Sequence, residues 1–260
     1  MSASAPELVR ERHGAVLVLR LNRPEASNAL TPTLLHDIGA AVVEAENDGG
    51  VGAVVLTATG DRAFCAGMDL REFAAGARMG SGDDDAARAY YRLIEGDVRL
   101  PVIGAANGAA VAGGFELLLA CDVIVASSDA RFGLPEVTRG LFPAGNGAFL
   151  GARIPLGVAL ELALTGDPID AHRAYELGLV NLVARPGNVL ASALALAGRI
   201  AANAPLALAA TKELIRLGAT DPARARERQS DWQGVVVSSE DALEGATAFV
   251  EKRAPVWRGR

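Results

Sequence analysis

An α/β fold completed by a helical C-terminal region is predicted by three features of the sequence. β-branched apolar runs alternate with stretches of helical periodicity as far as about Gly151. Beyond that point the pattern turns mostly helical. No internal repeat, low-complexity linker or sharp composition boundary interrupts the chain. This order suits one α/β core with helices packed onto it. We therefore expect a core over residues 1–195 and a helical region over residues 196–260.

The elements follow in order. GAVLVLRLN (Gly14 to Asn22) reads as a strand, closed by the turn-forming RPEASN. From Thr31, TPTLLHDIGAAVVEAEND has helical periodicity, with Thr31 as N-cap and Pro32 at the first helical position, where its missing N–H costs nothing. VGAVVLTATG (Val51 to Gly60) is a buried strand by its β-branched content, and AFCAGMDL a loop after it. AAGARMGSGDDDAA (Ala74 to Ala87) reads as a solvated, mobile loop near a helix start. PVIGAANG gives a short buried strand and turn, AGGFELLLACD a helix, and CDVIVASSDARFG a further strand. VALELALTG, AHRAYELGLV, VLASALALAGRIAANAP and LALAATKELIRLG then read as helices.

Composition narrows the function. Half of the 260 residues are hydrophobic and 22% are charged, which is globular and not disordered. A net charge of −6 with no long basic block argues against nucleic acid as a partner. It leaves room for an anionic small molecule held by local arginines. Cys65 and Cys121 have neither metal-ligand spacing nor a disulfide pattern. MSASAPELVRERHG lacks an apolar signal core, and no run approaches the roughly 18 apolar residues of a membrane span. The expectation is a soluble, cytoplasmic protein with no membrane partner.

Familiar catalytic patterns are missing: there is no G-x-S-x-G elbow, no phosphate loop and no H-E-x-x-H helix. The histidines, His13, His36 and His172, lie far apart and suit structural or surface roles. Attention passes to Glu116, an acid inside the apolar run AGGFELLLACD. Removing a carboxylate from water costs several kcal/mol, roughly, unless it is paired or protonated. Glu116 could accept hydrogen bonds near its helix N-terminus, or serve as an acid–base group tuned by burial. Glu136, in FGLPEVTRGLFP, reads alone as a surface glutamate after a proline. Two glycine-framed loops, CAGMD (Cys65 to Asp69) and AAVAGGF (Ala109 to Phe115), can aim backbone N–H groups at one oxyanion, or allow close packing.

These pieces together resemble the crotonase family, the enoyl-CoA hydratase/isomerase superfamily. The likeness runs through NRPEASNAL, VVLTATGDRAFCAGMDL, PVIGAANGAAVAGGFELLLACDVIVAS, ARFGLPEVTRGLFP, ELALTGDPIDAHRAYELGLVN, IAANAPLA and EGATAFVEKRAPVWRGR, in that order. The resemblance implies an α/β fold of the ClpP/crotonase-like type: a spiral of β-β-α turns with a helical C-terminal region that supports homotrimers, often paired into homohexamers. It implies an acyl-CoA thioester substrate and no cofactor or metal, CoA being part of the substrate. It assigns the oxyanion N–H groups to Met68 and Gly113, water activation to Glu116 and α-carbon protonation to Glu136. Backbone N–H of Ala144 would help hold the water. CoA would lie along Pro24, Ala26 and Ser27, along Ala66, Met68, Asp69 and Leu70, and by Gly114 and Pro135. Phe249 and Lys252 would approach its nucleotide end, at times from a neighbouring subunit. Arg23, Lys252 and Arg253 are candidates for the phosphates, each of which also reads as an ordinary surface cation.

Two departures stand out. Where members usually carry PGAGGTQRLPRLVG, this chain has PAGNGAFLGARIPLG, with Ala144 and Asn146 in place of glycines and Phe149-Leu150 in place of a polar pair. Leu134 stands where hydratases often have glutamine. A shifted substrate range or a slower hydration is expected from these. The pair Glu116 and Glu136 favours hydration of a trans-2-enoyl-CoA. A Δ3,Δ2-enoyl-CoA isomerase or another crotonase-type acyl-CoA lyase, and a non-catalytic acyl-CoA binder, are the alternatives.

Overall fold

The computed structural model describes residues 5–76 and 84–260. The middle of the expected mobile loop, residues 77–83, lies outside them. Two sheets organise the chain. The larger has six strands, β1 (Leu8–His13), β2 (Val16–Leu21), β3 (Ala53–Ala58), β5 (Val102–Ala106), β7 (Val123–Ser127) and β10 (Leu182–Ala184), side by side in that order. The smaller has β4 (Ala63–Cys65), β6 (Ala109–Val111), β8 (Arg131–Gly133) and β9 (Ile169–Asp170). All pairings are parallel except β1 with β2 and β8 with β9.

The chain alternates between the sheets. Three of the large-sheet strands are each followed by a short small-sheet strand, in β3–β4, β5–β6 and β7–β8, and then by helix. The helices are α1 (Pro32–Asn47), α2 (Leu70–Ala74), α3 (Asp85–Glu95), α4 (Gly113–Leu119), α5 (Leu156–Thr165), α6 (Ala171–Glu176), α7 (Val189–Ala201), α8 (Pro205–Thr220), α9 (Pro222–Val237) and α10 (Glu240–Glu251). This is the expected β-β-α repetition with helices toward the C-terminus. AFC, expected in a loop, forms β4, and CDVIVASSDARFG holds two strands in different sheets instead of one. The helix expected over AHRAYELGLV stops at Glu176, and Gly178 takes φ +77 before the chain returns as edge strand β10.

Side-chain alternation in β2 and β3 builds two cores. Leu19, Leu21, Val54 and Leu56 face the main core with α1, α3 and α4. Val16, Val18, Ala53 and Val55 face the other side, where Ala193 and Ala197 of α7 cover them. The expected boundary at residue 195 falls within α7. The next helix is fastened by ions: Asp122, just beyond α4, binds Lys212 and Arg216 of α8, each at 2.8 Å. Arg216 also reaches the Ala120 carbonyl. The tail is held by buried Asp241, which accepts from the Arg258 and Gly259 N–H groups at 2.6 and 2.9 Å. Among the described residues no single helix is long and apolar enough to cross a membrane.

Candidate active site

The site gathers where β4, β6 and β8 end. Beyond β6, Ala112 has φ +50 and ψ −133, a conformation that glycine adopts freely and alanine adopts under strain. It turns the chain into α4, whose first residues, Gly113 and Gly114, pack against the loop after β4. A methyl group on Gly114 would sit 2.3 Å from the Cys65 carbonyl oxygen. Gly67 takes φ +88, and a methyl group there would meet Ala112 Cβ at 2.8 Å and Gly113 N at 3.2 Å. The CAGMD and AGGFE backbones are therefore in contact because both lack side chains at the crossing.

On each side of Met68 the loop is pinned: Leu30 N–H donates to the Gly67 carbonyl at 2.8 Å and Asp69 N–H to the Leu30 carbonyl at 2.9 Å. Between those bonds, Met68 N–H finds no acceptor among the described residues, and neither does Gly113 N–H at the start of α4. Two free N–H groups on adjoining backbones form an arrangement able to hold an oxyanion.

Glu116 lies one turn into α4, half-buried between the buried Phe115 and Leu117. Its Oε1 accepts two backbone N–H groups from the turn after Pro143, Gly145 at 2.7 Å and Gly147 at 3.1 Å. Its Oε2 has no donor among the described residues, yet it is not sealed from solvent. The carboxylate is thus held by one oxygen and open at the other.

Glu136 sits in the 3₁₀ helix Pro135–Arg139 that follows β8, buried at 8% exposure. Its Oε2 is buried with no hydrogen-bond partner among the described residues. Burial pushes its pKa above the usual carboxylate range; the backbone at Glu136 opposes this, and the negative charge of Glu116 adds to it. The two glutamates thus stand in contrasting settings, one anchored and open, the other dry and unpaired. The fully buried Leu134 packs under the same turn as Glu116: a methyl group on Gly147 would stand 2.9 Å from Leu134 Cδ2 and 3.0 Å from Glu116 Oε1.

The other expected site residues divide. Pro24 and Ala26 form a 3₁₀ helix, and Ser27 and Asn28 follow in left-handed conformations. The buried Asn28 ties this turn to the Thr59 and Ala63 carbonyls at 3.0 and 2.9 Å, and Ala66 N–H donates to the Ser27 carbonyl. Pro24 to Ser27, Ala66, Met68, Asp69 and Leu70 are therefore neighbours. Arg23 is occupied by protein: it pairs with Glu7 at 3.2 Å and Asp69 at 3.1 Å and donates to the Ala29 carbonyl. Burial works against ionisation of Asp69, but Arg23 and the Arg71 N–H outweigh it and lower its pKa. Arg253 is likewise held by Glu244 and Glu251.

Pro135 is half-buried beside Glu136, and Ala144 is exposed with no acceptor for its N–H among the described residues. Phe249 and Lys252 are both exposed at the end of α10, Phe249 at 84%. Burial pushes the Cys65 thiol up to about 12, which keeps it inert. Among the described residues no cluster of side chains could hold a metal ion. Gly145 and Gly147 act as donors to Glu116 through their backbones, which side-chain patterning does not report.

The sequence profile of the enoyl-CoA hydratase/isomerase family matches residues 11–260. The chain is 40% identical to a carnitinyl-CoA dehydratase of Proteus mirabilis over 256 residues, 95% of this chain and 96% of that protein. It is 37% identical to a crotonyl-CoA hydratase of Syntrophomonas wolfei over 252 residues, 95% of each. It superposes with a TM-score of 0.90 on the crystal structure of an enoyl-CoA hydratase from Mycobacterium tuberculosis, 42% identical, covering 98% of this chain and 100% of that one.

Proposed function

Because this chain belongs to the enoyl-CoA hydratase/isomerase family and is an enzyme of crotonase type, we propose that it adds water across the double bond of a trans-2-enoyl-CoA through Glu116 and Glu136. The observation that carries the reading is the contrast between the two carboxyls. Glu116, anchored through Oε1, takes a proton from water at Oε2 while the water oxygen bonds to the β-carbon. The double-bond electrons move toward the thioester, whose oxygen is held by the N–H groups of Met68 and Gly113. Glu136, whose protonated form is favoured by burial, delivers a proton to the α-carbon. Ala144 N–H orients the water. One O–H bond of water and the C=C π bond break, one C–O and one C–H bond form, and the proton is returned from Glu116 to Glu136 through solvent.

CoA lies along Pro24 to Ser27 and Ala66 to Leu70. Arg23 holds this loop through Asp69. Phe249 and Lys252 serve a neighbouring subunit's nucleotide end in a homotrimer or hexamer. Exposed apolar side chains support such self-association: Leu156, Leu160 and Leu164 make one stripe on α5, and Phe249 and Val250 another face on α10. The apolar Leu134 favours an uncharged acyl group. The test is loss of the conjugated thioester absorbance of a short and a long trans-2-enoyl-CoA in oxygen-labelled water. Label in the product supports hydration. Double-bond migration without label makes the protein an isomerase, and binding without turnover makes it an acyl-CoA binder.

A further inference from the structure

Asn146 lies between the two glycines whose N–H groups hold Glu116, but its own side chain reaches a different element. Its Nδ2 donates to the Ile94 carbonyl at 2.5 Å, in the last turn of α3. Carbonyls there have no partner further along the helix. The N–H groups of Gly96 and Asp97 go back to Arg92 and Leu93, which leaves the Ile94 carbonyl to Asn146. From residues 143–147, the hydrogen bonds that reach other elements among the described residues are this one and the two to Glu116. Flanking glycines give the turn little stiffness of its own.

We propose that Asn146 is a positioning residue for Glu116. By tying the 145–147 turn to the end of α3, it holds the Gly145 and Gly147 N–H groups on Oε1 and so keeps Oε2 directed at the reacting water. The inference rests on the reading of Glu116 as the base.

The experiment compares Asn146→Ala and Asn146→Asp with wild type in hydration of a short trans-2-enoyl-CoA, alone and on a Glu116→Gln background. Alanine removes the amide and keeps the backbone preference; aspartate keeps the shape but sets an acceptor against the Ile94 carbonyl. In each variant kcat is expected to fall about 10- to 100-fold with KM changed less than about 3-fold. On the Glu116→Gln background the further loss is expected to stay under about 3-fold, because the residue acts through that carboxylate. Full kcat in both variants, or the same loss on both backgrounds, overturns the proposal. Should Asn146→Ala melt early, Asn146→Asp carries the comparison on its own. A wild type that hydrates no enoyl-CoA overturns the parent reading as well. A wild type that depends on Glu116 but not on Asn146 overturns this inference alone.

Discussion

Gly145 N–H donates to Glu116 Oε1 at 2.7 Å, and its Cα lies so near the same carboxylate that a methyl group there would stand 3.0 Å from Oε2. One residue fixes the first oxygen and leaves room for the second. Gly145→Ala is expected to turn the carboxylate and lower kcat about 100-fold, the size of effect that an ångström of misplacement produces. Binding of a saturated acyl-CoA should be unchanged. Steady-state kinetics and a direct titration check both halves.

Glu136 gives a pH-dependent prediction. Its pKa is raised in the folded state, so its contribution to stability is complete below the unfolded value near 4.5 and is lost as pH rises through the folded value. Glu136→Gln removes that loss. The variant should melt together with wild type near pH 4.5 and increasingly above it as pH rises, while hydration falls by orders of magnitude. Melting curves across pH 4 to 9 check the first part, and a widening gap in the opposite direction would contradict it.

Gly114→Ala drives a methyl group into the Cys65 carbonyl, a backbone atom that cannot swing aside. Overpacking of this kind costs about 1–3 kcal/mol. Here it also shifts Gly113 N–H away from Met68, so activity per folded molecule should fall with stability. Denaturant titration and specific activity of the folded fraction measure the two losses separately.

Asp122→Ala removes the shared partner of Lys212 and Arg216. Lys212 is largely buried, which lowers its pKa, and Asp122 is the charge that opposes this. Leaving a buried charge unpaired costs about 3–5 kcal/mol. The loss should appear first as local opening of α8, read by hydrogen exchange, with the sheet amides still protected.

Some of this was legible in the sequence for particular physical reasons. Glu116 was visible because an acid among leucines contradicts its surroundings. β2 and β3 were visible because strands buried on both faces read as continuous β-branched, apolar runs. β4, β6 and β8 have three residues each, too few to show a period, and β1 reads LVRERH because an edge strand tolerates charge. α9 has no buried residue, so its sequence carries no apolar stripe; it is held by Glu213 to Arg228 and Trp232. The bonds from Gly145 and Gly147 to Glu116 join backbone to side chain about 30 positions apart. Side-chain patterning does not report such a bond, because a backbone donor has no residue signature. The occupation of Arg23 by Glu7 and Asp69 was hidden for a similar reason: its partners come from distant loops.

On the proposed mechanism, two carboxyls in unlike settings share one hydration. The most direct measurement is the hydration rate of a trans-2-enoyl-CoA by wild type, Glu116→Gln and Glu136→Gln, each with its affinity for the saturated acyl-CoA. Turnover by wild type, a loss of at least about 1,000-fold in each variant and near-constant affinity are expected. Turnover that survives either substitution within about 10-fold would contradict the mechanism, because that carboxyl would then move no proton in the slow step.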